Sequence, residues 1–268
     1  MIRGIYTGAS GMLAKWTEMD VISNNLANVD TPAFKRHLML WKEEPRFKMH
    51  RLFDNLIETP GGELDLRPYI GDMGTGVRVK GEFVDFSQGA MKQTSNPLDM
   101  AIWTPGEGAS NAFFEVERPG QGTFYTRAGN FIRNSESLLT TLHGDKVLGA
   151  DGTPIRIEAE GIYVQKNGTL VDSGGIVLGQ IRLVSFKDMQ MLSKVGNNLF
   201  AQTEKSGPPA PAQASAELRQ GFLEVSNSNI VKDMVQMIVV NRAYEANQRV
   251  ITSHDQLLGQ AINEVSRV

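Results

Sequence analysis

Residues 230–265 read IVKDMVQMIVVNRAYEANQRVITSHDQLLGQAINEV, and this stretch decides the fold. Ile230, Met237, Tyr244, Ile251, Leu258 and Val265 recur every seven residues, and neither Pro nor Gly interrupts residues 222–258. That spacing keeps the side chains on one face of an α-helix, and a helix gains most of its stability by burying such a face. The pattern predicts one long helix over about 229–266, with Ser228 or Asn229 as its cap and Asp233 near the positive end of the helix dipole. The companion row, Met234, Asn241, Gln248, Asp255 and Ile262, is apolar only at its ends. Its polar members are read in two ways. They are either buried residues that fix register, as single polar core positions do in coiled coils, or residues that face water or an axial channel.

The other end of the chain repeats the theme. Ile2, Ile5, Ala9, Met12, Trp16, Met19, Ser23 and Leu26 alternate three and four apart, and only Ser23 breaks the stripe. A second helix should therefore run to about Asn28, where Asp30-Thr31-Pro32 supplies turn chemistry. Trp16 and Tyr244 are read as packed core side chains. Gly4, Gly8 and Gly11 form a separate row, and each Gly inside a helix costs roughly 1 kcal/mol relative to Ala. A neighbouring subunit's backbone is expected to approach closely there; the bland alternative is an N-terminus that orders only on assembly. Of the cluster Asn24, Asn25 and Asn28, capping and turn chemistry explain Asn28. The Asn24-Asn25 pair is expected to contact the second helix or an adjoining subunit.

Between the helices the pattern changes. Short apolar or alternating runs such as GEFVDFSQGAM (81–91), LDMAIW (98–103), AFFEVE (112–117) and VLGQIRLVSF (177–186) are punctuated by Gly, Pro, Asn and Asp. Asn167-Gly168 between two such runs signals a hairpin. The expected fold is α+β: long N- and C-terminal helices pairing as an antiparallel coiled coil, with an all-β domain inserted between them. The boundaries follow: 1–34 and 226–268 form a discontinuous helical assembly domain, 35–80 a connector, 81–206 the β domain, and 207–225 a linker and return segment. The Pro/Ala-rich stretch GPPAPAQASA (207–216) is expected to be extended and loosely packed.

The 268 residues include 27 Lys and Arg against 30 Asp and Glu, a net charge of −3 with no concentrated basic face, which argues against a nucleic-acid partner. The absence of Cys excludes disulfides, thiolate chemistry and Cys-ligated metals. His37, His50, His143 and His254 have no metal-ligand spacing. The glycine-rich run Gly71 to Gly76 lacks the P-loop Lys-Ser/Thr, and Asp99 with Glu107 carries only the bare chemistry of a carboxylate pair. No enzymatic activity, cofactor, metal or small-molecule substrate is expected. Neither a cleavable signal nor a membrane span is visible in the sequence.

The segment Ser23-Asn24-Asn25-Leu26-Ala27-Asn28-Val29-Asp30-Thr31-Pro32-Ala33-Phe34-Lys35 resembles the N-terminal signature of the bacterial flagellar rod and hook proteins. Gly221-Phe222-Leu223-Glu224-Val225-Ser226-Asn227, Met234 to Ile238, and Asn241-Arg242-Ala243-Tyr244-Glu245-Ala246-Asn247 resemble its C-terminal counterpart. Asp85-Phe86-Ser87-Gln88-Gly89, Asn96-Pro97-Leu98-Asp99, Tyr125-Thr126-Arg127-Ala128-Gly129-Asn130-Phe131 and Val147-Leu148-Gly149 look like further landmarks in the same order. There are two departures. The family commonly has Gly where Ala33 stands, and Trp103 to Asn111 looks like a short insertion.

The resemblance implies a structural subunit of the flagellar basal-body rod that polymerises with copies of itself and other axial proteins to transmit torque across the cell envelope. It also implies passage through the flagellar type III export apparatus without a cleaved signal peptide, and a place in the basal body within the envelope and periplasm. A hook protein is disfavoured for want of an outer domain. Ile5-Tyr6-Thr7 and Thr31-Pro32 look like the proximal, FlgF-like rod, and Gly74-Thr75-Gly76-Val77 like the distal, FlgG-like one; the balance falls on proximal. The expected subunit interface comprises Ile2, Gly4, Ile5, Gly8, Gly11, Met12, Trp16, Met19, Asn24, Asn25, Leu26 and Asn28 on the first helix. On the second it comprises Ile230, Met234, Met237, Asn241, Tyr244, Gln248, Ile251, Leu258 and Val265. The reading from another class is an oligomeric module whose β domain captures a carbohydrate or a peptide.

Overall fold

The computed structural model describes residues 2–50, 56–59, 62–65, 69–104, 112–158, 161–212 and 216–263. Val265, Glu107 and parts of the expected insertion and linker lie outside them. Helix α1 spans Ile2–Ala27 and helix α2 spans Ile230–Asn263, with strands between, so the fold is α+β. The turn after α1 is closed by Thr31 N–H donating to the Asn28 carbonyl at 3.1 Å. Helix α2 starts directly after Asn229 and carries Asp233, buried, in its first turn. No helix among the described residues is long and apolar enough to cross a membrane.

The chain divides into two compact units, one of residues 1–24, 38–83 and 232–268 and the other of residues 25–37 and 84–231. Besides the helices, the first unit holds a two-stranded antiparallel ribbon where the sequence suggested only a connector. His37–Glu43 pairs with Val77–Val84, Arg46–His50 with Tyr69–Gly74, and Leu56–Thr59 with Gly62–Asp65, each pair nested inside the last. The base of the ribbon is tied to α1. Thr7 Oγ1 donates to the Thr75 carbonyl at 2.6 Å, Val77 N–H donates to Ser10 Oγ at 3.3 Å, and the Lys15 ammonium lies 5.7 Å from the centre of the Trp41 ring.

The second unit is built on a nine-stranded sheet whose hub is Ala112–Arg118, paired with Gly122–Thr126, Lys146–Val147 and Leu183–Ser185. Successive side chains of a strand point to opposite faces, and here both faces are buried. Phe114, Val116, Phe124, Leu183 and Leu199 enter one core; Phe113, Tyr125, Val184 and Phe200 enter the other. This explains why AFFEVE is nearly all buried instead of alternating. The hairpin expected at Asn167-Gly168 joins Ile162–Val164 to Thr169–Asp172, with Gly168 at φ 85°.

The chain's return is not loosely packed where it is described. Ala210–Pro211 pairs with Leu183–Ser185, and Ala212 and Ala216 enter the larger core. Glu217–Gln220 and Phe222–Glu224 then pair with Met100–Trp103 and Met91–Gln93. Small alanines let the segment sit against sheet edges that larger side chains would hold apart.

Candidate assembly surfaces and a buried charge cluster

The face of α1 turned towards α2 is the glycine row. A Cβ on Gly4 would lie 2.2 Å from Nε2 of His254, one on Gly8 3.0 Å from Cγ1 of Ile251, and one on Gly11 3.0 Å from Nδ2 of Asn247. Further along, Gln236 Nε2 donates to Glu18 Oε1 at 3.4 Å. Numbers rise along α1 as they fall along α2. The close approach inferred from the glycines is thus made by the chain's own second helix, where the sequence suggested a neighbouring subunit. Gly8, Ala14, Ile22 and Asn25 are buried along α1.

The seven-residue stripes are consequently rotated from their expected phase. Trp16 is 54% exposed and Ala9 is exposed, while Ile5, Met12, Met19 and Leu26 are half-buried. Trp16 is therefore not the packed core side chain expected. Ile2 begins α1, and Val265 lies outside the described residues. On α2, Met237, Tyr244, Ile251 and Leu258 are half-buried and Ile230 is exposed. The row that accompanies them is Asp233, Val240, Asn247 and His254, three residues on. Met234, Asn241, Gln248, Asp255 and Ile262 are exposed. Both rows satisfy helical geometry. The glycine face decides between them, because it leaves room for Asn247 and His254 against α1.

Opposite these faces lie uncovered apolar side chains. Tyr6, Leu13 and Trp16 stand out on α1; Val231, Met234, Val235, Ile238 and Val239 do so on the first half of α2, with Val235 56% exposed. The ribbon adds Leu40, Phe47, Tyr69 and Ile70. Apolar surface on this scale marks sites of association.

Asn25 and Asn28, at the end of α1, bond within the chain. Asn25 donates from Nδ2 to the His37 carbonyl and accepts at Oδ1 from His37 N–H, both at 2.8 Å, completing the backbone pairing of a residue outside any helix. Both side-chain bonds of Asn25 thus go to His37, where the sequence suggested the second helix or an adjoining subunit. Asn24 is exposed, and Asn28 Oδ1 accepts from Thr31 Oγ1 at 3.3 Å in the turn.

A feature the sequence reading missed lies in the second unit. Glu224, Lys35 and Arg127 form a charge cluster with side chains no more than 1% exposed. Glu224 Oε1 takes Lys35 Nζ at 2.6 Å and Gly89 N–H at 2.9 Å. Its Oε2 takes Arg127 Nη2 at 2.8 Å and Nε at 3.1 Å. Further donors are used as well: Lys35 Nζ reaches the Ser87 carbonyl and Arg127 Nη1 the Ala112 carbonyl, both at 2.7 Å. A Cβ at Gly89 would fall 1.9 Å from the Val225 carbonyl oxygen, so no side chain fits beside the cluster there. Burial drives the Lys35 ammonium down, Arg127 adds to this, and Glu224 only partly opposes it, leaving its pKa at about 8. Burial pushes Glu224 up, but Arg127 and Lys35 outweigh it and hold its carboxyl below the usual range. Nothing in this arrangement is open to a substrate. Among the described residues, no His, Asp or Glu side chains are grouped so as to hold a metal ion.

Comparison with known proteins covers both features. Residues 5–35 match the family model described as flagella basal body rod protein, residues 109–177 the flagellar hook protein FlgE/F/G D1 domain, and residues 219–264 the flagellar basal body rod FlgEFG protein C-terminal region. The chain is 37% identical to the flagellar basal-body rod protein FlgG of Borreliella burgdorferi, with 98% of each chain covered. It is 32% identical to FlgG of Bacillus subtilis, covering 98% of this chain and 99% of that one. It is 30% identical to the flagellar hook-basal body complex protein FlhO of Bacillus subtilis, covering the whole of both. Lys35, Arg127 and Glu224 fall in the three matched segments, one in each.

Proposed function

The chain belongs to the flagellar basal-body rod protein family as a structural subunit of the flagellar basal body and not an enzyme, and on that premise we propose how it assembles. The full-length similarity to FlgG proteins favours a FlgG-like subunit over the FlgF-like one that Ile5-Tyr6-Thr7 suggested. The run Gly74-Thr75-Gly76-Val77 was the better guide.

In this proposal α1 and α2 pair as an antiparallel coiled coil, supported by the contacts of Gly4 with His254, Gly8 with Ile251 and Gly11 with Asn247. The outer faces of the paired helices are the subunit interface, through which the chain polymerises with its own copies and with other axial proteins to carry torque. The observation that carries this reading is the uncovered apolar surface of α2, centred on Val235 and Val239. Of the expected interface residues, Trp16, Ile230, Met234, Asn241 and Gln248 lie on exposed surface and are free to meet a neighbour; Met237, Tyr244 and Ile251 serve the pairing first. The proposal includes export through the flagellar type III apparatus and a place in the envelope and periplasm, which the family resemblance supports. A carbohydrate- or peptide-binding module is not retained, since the family is structural.

The test places Val235→Glu and Val239→Glu in cells lacking the chain. Folded protein at wild-type levels with no rod and no swimming supports the reading. Swimming restored by both variants would refute it.

A further inference from the structure

The buried cluster holds two cations and one anion, and its members come from parts of the chain that no local structure brings together. Lys35 lies in the irregular segment that leads out of α1, Arg127 follows the strand Gly122–Thr126, and Glu224 ends the strand Phe222–Glu224, just before α2. The segments at 33–36 and 224–227 also share their backbones. Ala33 N–H donates to the Glu224 carbonyl at 2.7 Å, Asn227 N–H to the Phe34 carbonyl at 3.4 Å, and Arg36 N–H to Asn227 Oδ1 at 2.8 Å. Asn227 Nδ2 then reaches the Asp85 carbonyl at 2.7 Å.

Asp85 also favours the Lys35 charge but is itself paired with Arg36 at 2.8 Å, so Glu224 is the anion in direct contact with both buried cations. Without it, Lys35 and Arg127 would be left buried and repelling each other. An uncompensated buried charge costs far more than an intact cluster gains.

We infer that Glu224 is a closing key: segment 32–37 docks onto the β unit only when segment 222–227 is already in place, and the two segments open and close as one. The chain ends that lead into α1 and α2 are thereby committed together, so a chain whose C-terminal segment has not arrived keeps its N-terminal segment undocked. The inference concerns the single chain. It stands or falls independently of the assembly surfaces proposed above.

Hydrogen–deuterium exchange on the full-length chain, wild type, Glu224→Gln, Lys35→Met and the double variant Lys35→Met/Glu224→Gln, tests it. Glutamine keeps the shape of Glu224 and an acceptor for Gly89 N–H and Lys35, loses the charge, and turns an NH2 donor towards Arg127 where the carboxylate accepted. In Glu224→Gln, exchange at 33–37 and at 222–227 should rise together by about 100-fold while Ala112–Arg118 stays within about threefold of wild type. The double variant should exchange about 10-fold more slowly than Glu224→Gln at both segments, because removing Lys35 removes the repulsion. Lys35→Met alone should leave 222–227 within about threefold of wild type, since the Arg127 pair survives. Protection of 33–37 that persists in Glu224→Gln, or a double variant no slower than the single, overturns the inference. Should Glu224→Gln not fold, a folded double variant supports it, and a double variant that also fails to fold overturns it.

Discussion

Lys35 and Glu224, separated by 189 positions in sequence, form an ion pair of 2.6 Å in which each side chain is 1% exposed. Their burial ties folding to pH at both ends of the scale. The folded-state pKa of Glu224 is depressed, so its contribution is complete above the ordinary carboxylate value near 4.5 and is lost as pH falls through the lower folded value. The folded-state pKa of Lys35 is about 8 against 10.5 for an ordinary lysine, so between these values the unfolded chain binds more protons and stability rises with pH. Urea unfolding measured from acid to alkaline pH should show both limbs. Lys35→Met should flatten the alkaline one, and an alkaline limb of equal slope in that variant would refute the assignment.

Ala33 occupies the left-handed region at φ 56°, at the position where the resembled family commonly has Gly, and is 4% exposed. An L-residue pays about 1–2 kcal/mol there, and Gly returns part of that gain through its freer unfolded chain. Ala33→Gly is expected to stabilise the chain by about 0.5–1 kcal/mol. Chemical denaturation reads this directly. A loss of stability would mean that the buried methyl packs better than its backbone strain costs.

Glycines 4 and 8 should differ in tolerance. A methyl on Gly4 meets the end of the His254 side chain, which can turn aside, whereas Gly8 faces Ile251 and, at 3.5 Å, the Asn247 backbone carbonyl. Gly4→Ala should be neutral or stabilising, because Ala is favoured over Gly in a helix by about 1 kcal/mol. Gly8→Leu should separate the helices at a net cost of about 1–2 kcal/mol, since overpacking costs about 1–3 kcal/mol. Circular dichroism during thermal unfolding should show a lower midpoint for Gly8→Leu alone. Equal midpoints for the two variants would contradict the close approach at Gly8.

How far the sequence disclosed this depended on the range of the interaction. Helices α1 and α2 follow from spacing and turn chemistry, both local, and their ends fall close to Asn28 and Asn229 as read. The phase of the stripes was not legible, because rows three or four residues on from Met237 are equally helical and only the bare glycine face of α1 selects Asn247 and His254. The ribbon at 37–84 escaped notice because the run Leu38 to Trp41 is apolar throughout and the alternation at Val77 to Lys80 is only four residues long. Lys35, Arg127 and Glu224 were each seen inside a motif, but nothing in a linear pattern says that three charges meet. The clue was their chemistry: a single Lys, Arg or Glu in a motif otherwise built for turns and packing invites a search for its partner.

Asn241 and its seven-residue neighbours Met234, Gln248, Asp255 and Ile262 are all exposed on α2, so the polar members cannot set the register of the helix pair within one chain. Their effect should appear between chains instead. Met234 and Ile238 flank Asn241 with exposed apolar surface, and a polar residue in such a row limits which partners can seat against it. Asn241→Leu should leave the stability of the single chain within about 0.5 kcal/mol, as exposed substitutions generally do. It should tighten self-association by about 10-fold while weakening the preference for other axial proteins over its own copies. Sedimentation over a concentration series measures the first effect, and competition between labelled copies and a neighbouring axial protein measures the second. Unchanged self-association together with unchanged partner preference would show that this face stays in water within the rod.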